Sequence, residues 1–141
     1  MRKLLLLLMP LLFLVSCGTK LEEVVEETHA DGSPQWVVYY QDNDGFRERV
    51  KVIAYYEDGS KRYEGEFANE KRNGHWVYWY ENGNTWSDGY FKDDLRDGFG
   101  TTWHENGNKH YEGSYKDGVR TGQWKFWSEE GELLKEIDYD E

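Results

Sequence analysis

The chain has 141 residues, of which 28 are acidic and 17 basic, and its formal net charge is −11 at pH 7. This length suits one ordinary domain. So acidic a surface excludes polybasic membrane binding and argues against nucleic acid partners, because it repels phosphate groups. Aromatic residues make up 17% of the chain, which has 15 Gly and only 2 Pro. That composition predicts strands and tight turns rather than helices.

The N-terminal segment, positions 1–16, is typical of a bacterial secretory signal peptide. Two basic residues precede an apolar run from Leu4 to Val15, which is too short to cross a bilayer as a helix, since that takes about 20 residues. The run leads into Leu-Val-Ser-Cys-Gly at positions 14–18, which resembles the lipobox of bacterial lipoproteins. The resemblance implies cleavage before Cys17 and lipid attachment to its thiol, a stable anchor for the protein in the cell envelope. The alternative is an ordinary signal peptide with an incidental cysteine.

Residues 17–34 are predicted to form an acidic flexible tether. Four glutamates lie between positions 22 and 27 and no aromatic residue occurs, a composition typical of solvated linkers. A short helix from Lys20 to Thr28 is the alternative. The folded domain is then expected to span residues 35–141.

A sequence repeat with a period of 24 runs without a gap from Lys51 to the end of the chain. Repeats of this kind build a fold by stacking one supersecondary unit on the next. The recurring positions are three glycine columns (Gly59, Gly83, Gly107, Gly131; Gly65, Gly89, Gly113; Gly74, Gly98, Gly122) and two aromatic columns (Tyr55, Trp79, Trp103, Trp127; Phe67, Phe91, Tyr115, Tyr139).

Each repeat has the pattern of a β-hairpin. In the second, strand residues 75–80 are followed by Glu-Asn-Gly, a strong turn signal, and by a return strand over residues 84–91. A two-residue Asn-Gly loop predicts four cross-strand pairs: Trp79 with Trp86, Trp103 with His110, Trp76 with Gly89, and Val52 with Gly65. Glycine weakens a strand unless it makes room for something. We therefore expect the column of Gly65, Gly89 and Gly113 to make space for neighbouring rings.

The segments Tyr63–Trp76 and Tyr111–Trp124 resemble MORN repeats. Each begins with Tyr-x-Gly-x-aromatic and continues through a polar loop to a second glycine. The Glu-Asn-Gly-Asn element between such segments, which follows an aromatic ring, is similar to variant MORN repeats of bacterial proteins labelled antitoxin-like. The resemblance covers about residues 50–141. It implies an all-β fold in which tandem antiparallel hairpins form one elongated, twisted sheet.

The candidate site residues are aromatic. No catalytic constellation is recognisable, so we expect neither an enzyme nor a cofactor, and the four histidines lack zinc-ligand spacing. His104 and His110 are expected to replace rings. Trp76 and Trp86 break the repeat pattern, and such rings are the better ligand candidates if they are exposed. The repeated column that contains Trp79 and Trp103 is expected to serve mainly as core. The candidate ligand-binding residues are Trp76, Trp86, Trp79 and Trp103.

Together these patterns predict a lipid-anchored, non-catalytic binding or scaffold module. Its expected partners are the membrane, through Cys17, and a protein or cell-wall component, with no nucleic acid. One alternative is an antitoxin-like or immunity protein that neutralises an envelope-acting toxin with its acidic surface. The other is an aromatic groove that binds a glycan or a quaternary ammonium group.

Overall fold

The computed structural model describes residues 21–141, which form one open antiparallel sheet of eleven strands. Neighbours in the sheet follow chain order, except that β7 pairs only with β6 and β8 takes the next place. No helix occurs within the described range, so none there could span a membrane. The predicted all-β sheet of tandem hairpins is thus confirmed. The strands are β1 (Leu21–Thr28), β2 (Pro34–Asn43), β3 (Phe46–Tyr55), β4 (Lys61–Ala68), β5 (Lys71–Trp79), β6 (Thr85–Lys92), β7 (Leu95–Arg96), β8 (Gly98–Trp103), β9 (Lys109–Lys116), β10 (Val119–Trp127) and β11 (Leu133–Asp138).

The predicted signal peptide, residues 1–16, and the predicted lipid acceptor Cys17 lie outside the described residues. The predicted tether, residues 17–34, lies partly inside them, and there it is wrong. Strand β1 occupies residues 21–28 and pairs antiparallel with β2. Alternation along a strand places neighbouring glutamates on opposite sides, which separates their charges. One of them, Glu22, forms an ion pair with Arg47 at 3.1 Å.

The turn that joins β1 to β2 repeats a turn found later in the chain. The Asp31 carboxylate accepts a hydrogen bond from the Ser33 backbone N–H at 2.8 Å, and Asp58 accepts the same bond from Ser60 at 2.8 Å. The spacing between these two Asp-Gly-Ser turns exceeds the repeat period by three positions. This longer spacing removes the first hairpin from the repeat alignment, which is why the sequence pattern misses it.

The hairpin turns have three residues rather than the predicted two. The Tyr80 N–H donates to the Asn84 carbonyl at 2.9 Å, and the turn is completed by Gly83 with φ of +89°, a geometry typical of three-residue hairpin loops. As a result Trp79 lies opposite Thr85 instead of Trp86. In the next hairpin Trp103 lies opposite Lys109 instead of His110. Both of these predicted pairs are wrong.

A β-bulge after each turn restores the register. On β6 the extra residue is Trp86, because Trp79 pairs with Thr85 whereas Tyr78 pairs with Ser87. Arg62 and His110 are the corresponding extra residues on β4 and β9. Beyond the bulges the predicted pairs are confirmed: Trp76 lies opposite Gly89 and Val52 opposite Gly65.

Most of the large rings pack on one side of the sheet, which we call the ring face; it carries Trp76, Tyr78 and Trp124. Along β5, alternation separates Trp76 and Tyr78 from Val77 and Trp79, which point to the opposite side. Around Trp76 a buried cluster contains Val38, Val52 and Phe91. The predicted column that begins with Phe67 contributes here, since its members contact the two buried tryptophans at ring-centroid distances of 4.8–6.0 Å.

Two of the strand glycines lie beneath tryptophan rings, as the sequence predicts. A Cβ added at Gly65 would approach the Trp76 ring to 2.0 Å, and one at Gly113 would approach the Trp124 ring to 2.3 Å. The third glycine of the column, Gly89, differs, because its nearest neighbours are the Arg96 guanidinium and the Gly100 backbone. The ring that would cover it is missing.

Hydrogen bonds between successive turns connect the repeats along one edge. Tyr56, Tyr80 and His104 occupy one column, and each contacts the backbone carbonyl of a tryptophan in the next repeat at 2.8–3.1 Å. The Asn106 side-chain amide donates to the Glu129 carbonyl at 2.7 Å, while its oxygen accepts from the Asn108 N–H at 2.9 Å. The recurring Asn-Gly-Asn element therefore holds its own turn and binds the next one.

Substituting Asn106→Asp should lower the free energy of unfolding by about 1 kcal/mol, the usual value of one such hydrogen bond. Aspartate keeps the oxygen that holds the turn and loses the amide donor to the Glu129 carbonyl. Urea denaturation measures the effect. The matched control is Glu129→Gln, which keeps the main-chain acceptor and should leave the stability unchanged. If Glu129→Gln cancels most of the loss caused by Asn106→Asp in the double variant, repulsion between the two carboxylates, not the lost hydrogen bond, is responsible.

Candidate binding site

A row of side chains crosses six neighbouring strands on the ring face, and two of them are small. Cross-strand pairing places these six residues side by side. Four are aromatic, whereas the two in the middle carry only small hydroxyl side chains. In order the row is Tyr63, Tyr78, Ser87, Thr102, Tyr111 and Phe126.

Ser87 and Thr102 leave a gap in the row of rings, and a second gap lies beside them. The repeat position that holds Trp76 and Trp124 is occupied in the intervening repeat by Gly100. Gly100 lies against Gly89 of the adjacent strand, whose added Cβ would be 3.4 Å from the Gly100 Cα. Three rings of the repeat pattern are therefore replaced by small residues, at positions 87, 100 and 102, in one patch of the sheet.

The gap forms a depression of about 300 Å³ on the ring face. Tyr78, Trp86 and Phe91 line the side formed by β5 and β6, and Tyr111 lines the opposite side. Ser87 and Thr102 line it between them and are 3% and 4% exposed. Small binding sites in proteins commonly combine apolar walls with a few placed polar groups in this way.

The half-buried side chain of Arg96 lies over the two glycines. Its Nη1 is 3.3 Å and 3.4 Å from the positions that a Cβ would take at Gly89 and Gly100, and its Nη2 donates to the Ser87 hydroxyl at 3.2 Å. The guanidinium carbon is 5.4 Å from the centre of the Phe91 ring and 5.5 Å from that of Tyr115. Arg96 thus partly fills the space that a tryptophan fills in the neighbouring repeats.

An arginine recurs at this position in three successive repeats, and each one has a different partner. Arg72 forms an ion pair with Asp94 at 3.2 Å. A hydrogen bond from the Arg72 backbone, helped by the hydrogen bond and charge of its side chain, holds the pKa of Asp94 below its usual value, although desolvation opposes this shift. Arg120 donates to the Tyr139 hydroxyl at 2.8 Å. Within the described part of the chain, no carboxylate lies within ion-pair distance of Arg96.

The Thr102 side chain beneath the depression lacks a hydrogen-bond partner within residues 21–141. The Thr102 hydroxyl is buried and makes no hydrogen bond to any described residue. Burial of an unpaired hydroxyl costs about 1–3 kcal/mol. The fold therefore contains a buried Thr102 hydroxyl whose desolvation is not offset by a hydrogen bond to any described residue.

The structure brings only one of the four candidate tryptophans to this depression as an exposed ring. Trp86 is 48% exposed and lies at the rim, where its bulge position directs it to Tyr78 and Tyr80. Trp76 is 4% exposed and belongs to the core, so the prediction of an exposed, off-pattern ring is wrong there. The fully buried Trp124 occupies the same repeat position and shows that this position is structural.

The other two candidate rings, Trp79 and Trp103, are half-buried and do not line the depression. Strand alternation places Trp79 on the side opposite the ring face. There the Lys61 ammonium lies 5.9 Å from the centre of the Trp79 ring. A lysine, Lys109, covers Trp127 of the same column at 5.4 Å. The column therefore contributes packing under lysine side chains, and Trp79 also lines a second depression of about 230 Å³ together with Trp86.

The histidines of the third repeat stack on each other, with ring centroids of His104 and His110 4.3 Å apart. The pKa of His110 is lowered by partial desolvation and then by the charge of His104. His104 takes the column position of Tyr80 and makes the equivalent contact to a tryptophan carbonyl. Over residues 21–141 no group of three or more potential ligands could hold a metal ion.

Comparison with protein-family models agrees with this architecture. A model described as "MORN repeat variant" matches residues 72–93 and 120–141, and a model described as "MORN repeat" matches residues 88–109 and 111–126. No curated protein matches the chain significantly. Both kinds of model match the tandem hairpins from β5 to β11, so this part of the chain consists of MORN-like repeats.

Proposed function

We propose that this protein is a non-catalytic binding module held at the cell envelope by a lipid on Cys17. MORN repeats are found in binding and scaffold modules. The observation that carries the proposal is the depression on the ring face, where aromatic walls surround a half-buried Arg96 that has no carboxylate partner in the described residues. Such a combination is characteristic of a site that recognises a ligand.

The anchor is supported by the lipobox-like segment that contains the only cysteine. Leu21, the first described residue, already belongs to β1, so at most three residues separate the sheet from Cys17. Even a fully extended chain covers roughly 3.3–3.6 Å per residue. A lipid on Cys17 would therefore hold β1 close to the membrane surface and would leave the domain little freedom to move away from it.

A binding role fits the chemistry of the depression better than catalysis. Among the described residues that line it there is no histidine, aspartate or glutamate, the side chains that most often transfer protons in enzymes. The Arg96 guanidinium there can orient a ligand by hydrogen bonds. The partner we propose is a protein or cell-wall component of the envelope, since the acidic chain disfavours nucleic acid.

The second candidate is immunity against an envelope-acting toxin. The net charge of −11 favours it, because an acidic surface attracts and masks a basic partner. Binding of a glycan by an aromatic groove is supported by the exposed ring of Trp86, which also lines a second depression with Trp79. The positive charge of Arg96 makes a quaternary ammonium ligand unfavourable in the depression.

Photo-crosslinking in the native cell tests the proposal. A benzoyl-phenylalanine in place of Trp86 should capture one envelope partner, whereas the same group in place of Phe46, which is 80% exposed and far from the depression in sequence, should not. In parallel, Cys17→Ser should abolish incorporation of labelled palmitate and release from the membrane fraction any chain that is still exported. A wild-type chain without lipid, or identical cross-links at both positions, would contradict the proposal.

A further inference from the structure

We propose that the depression binds an organic carboxylate that carries one apolar group, with Arg96 as the ionic partner of the carboxylate. This inference rests on the proposed binding function and names its ligand class. It follows from comparison of Arg96 with the equivalent arginine one repeat earlier.

The earlier arginine shows what Arg96 lacks. The Arg72 carbonyl accepts a hydrogen bond from the Asp94 N–H at 3.0 Å, and the Asp94 carboxylate pairs with the Arg72 guanidinium. In the next repeat the Arg96 carbonyl accepts the same backbone bond from Gly118 at 2.8 Å. Position 118 has no side chain, so the backbone arrangement is repeated and the carboxylate is missing.

The backbone at position 118 does not demand glycine. Its φ is +83°, and Asp94 adopts φ of +71° at the equivalent point of the preceding repeat. Aspartate is among the residues that tolerate this left-handed conformation best. The backbone at position 118 would therefore accept an aspartate, and turn geometry does not explain why the chain has a glycine there.

The Arg96 guanidinium is preorganised to bind a carboxylate. It lies between the rings of Phe91 and Tyr115 and is fixed by the Ser87 hydroxyl, which reduces the rotamer entropy lost on binding. A planar guanidinium matches a carboxylate with two parallel hydrogen bonds.

The walls and volume of the depression indicate the size and polarity of the part of the ligand that lies beyond the carboxylate. Its walls are the rings of Tyr78, Phe91 and Tyr111, and its volume of about 300 Å³ suits one apolar or aromatic group. The nearby Arg72 is already neutralised by Asp94, so the depression offers one uncompensated positive charge. One such charge in a chain of net charge −11 suits a monoanion better than a phosphate dianion.

Titration of the lipidated chain in nonionic detergent with N-acetyl-L-phenylalanine tests this assignment. Isothermal calorimetry should show saturable binding with a Kd of about 1 mM, as expected for so small a ligand. The neutral probe N-acetyl-L-phenylalaninamide should bind at least tenfold more weakly. Equal affinity for the acid and the amide would overturn the proposal, as would no saturable binding.

The decisive variant is Gly118→Asp, which supplies the carboxylate that Arg72 already has. It should weaken binding of the acid at least tenfold because Arg96 becomes internally paired, whereas Gly118→Asn, which is uncharged, should stay within about threefold of wild type. In Arg96→Gln the preference for the acid over the amide should disappear. Circular dichroism confirms that each variant is folded. Unchanged affinity in a folded Gly118→Asp chain would refute the role of Arg96.

The experiments distinguish failure of the proposed envelope-anchored binding module from failure of the carboxylate assignment. If the probe does not bind while cross-linking at position 86 still captures an envelope partner, the carboxylate assignment is wrong and the binding module stands. If the probe binds as described and no lipid is found on the chain, the envelope anchor is wrong and the depression stands.

Discussion

Replacing Trp124 with alanine should lower the free energy of unfolding by about 3–5 kcal/mol, the usual cost of truncating a large buried aromatic residue. Trp124 is 0% exposed. Its indole N–H donates to the backbone carbonyls of Ser114 and Thr121 at 3.2 Å, and its ring covers Gly113. Its loss removes packing and hydrogen bonds from two neighbouring strands at once. Chemical denaturation in urea, analysed by linear extrapolation, measures the change.

Trp86→Ala is the matched control for this prediction. The same side chain is removed, but Trp86 is a bulge residue with 48% of its surface exposed. Its loss should cost less than about 1 kcal/mol. Similar losses in the two variants would show that the repeat position of Trp76 and Trp124 does not form the core.

The second large effect is expected from adding a single methyl group at Gly113. In Gly113→Ala the new Cβ would lie 2.3 Å from the Trp124 ring, so the ring or the strand must shift. Overpacking of this kind costs about 1–3 kcal/mol. The same denaturation measurement applies, and the reason is steric, because the φ of Gly113 is not positive.

The repeat supplies its own control for Gly113→Ala at Gly89. There the added Cβ would be 3.3 Å from the Arg96 guanidinium, the mobile end of a flexible side chain, so Gly89→Ala should cost less than Gly113→Ala. In a Trp124→Ala background the cost of Gly113→Ala should nearly vanish, because the clash partner is gone. Additive losses in the double variant would rule out ring coverage as the reason for this glycine.

The candidate site illustrates which functional features a repeat reveals. Of the four candidate tryptophans, the sequence correctly treated Trp86 as a break in the pattern, and the structure places it at the rim of the depression. The prediction for Trp76 is wrong, because Trp124 fills the same repeat position and both rings are buried. The small residues Ser87, Gly100 and Thr102 were not among the predicted site residues. Each of them interrupts the 24-residue pattern, but only the pairing of strands brings them into one patch.

What brings those small residues together is the pairing of strands. Ser87, Thr102 and Tyr111 belong to three strands and meet because β6, β8 and β9 are adjacent in a given register. That register depends on a three-residue turn followed by a bulge. Two-residue turns would have moved the side chains near the corners to other partners. No periodicity in one strand contains this information.

The amino-acid sequence by itself determined the all-β class, the repeating hairpin and the glycines that lie beneath rings, because these follow from local turn chemistry and side-chain volume that recur in each repeat. The tertiary structure alone decided that β1 belongs to the sheet, which tryptophans are buried and where Arg96 lies without a carboxylate. These properties depend on which strands become neighbours across the sheet. Such contacts join residues of different strands, and no single strand's composition or spacing encodes them.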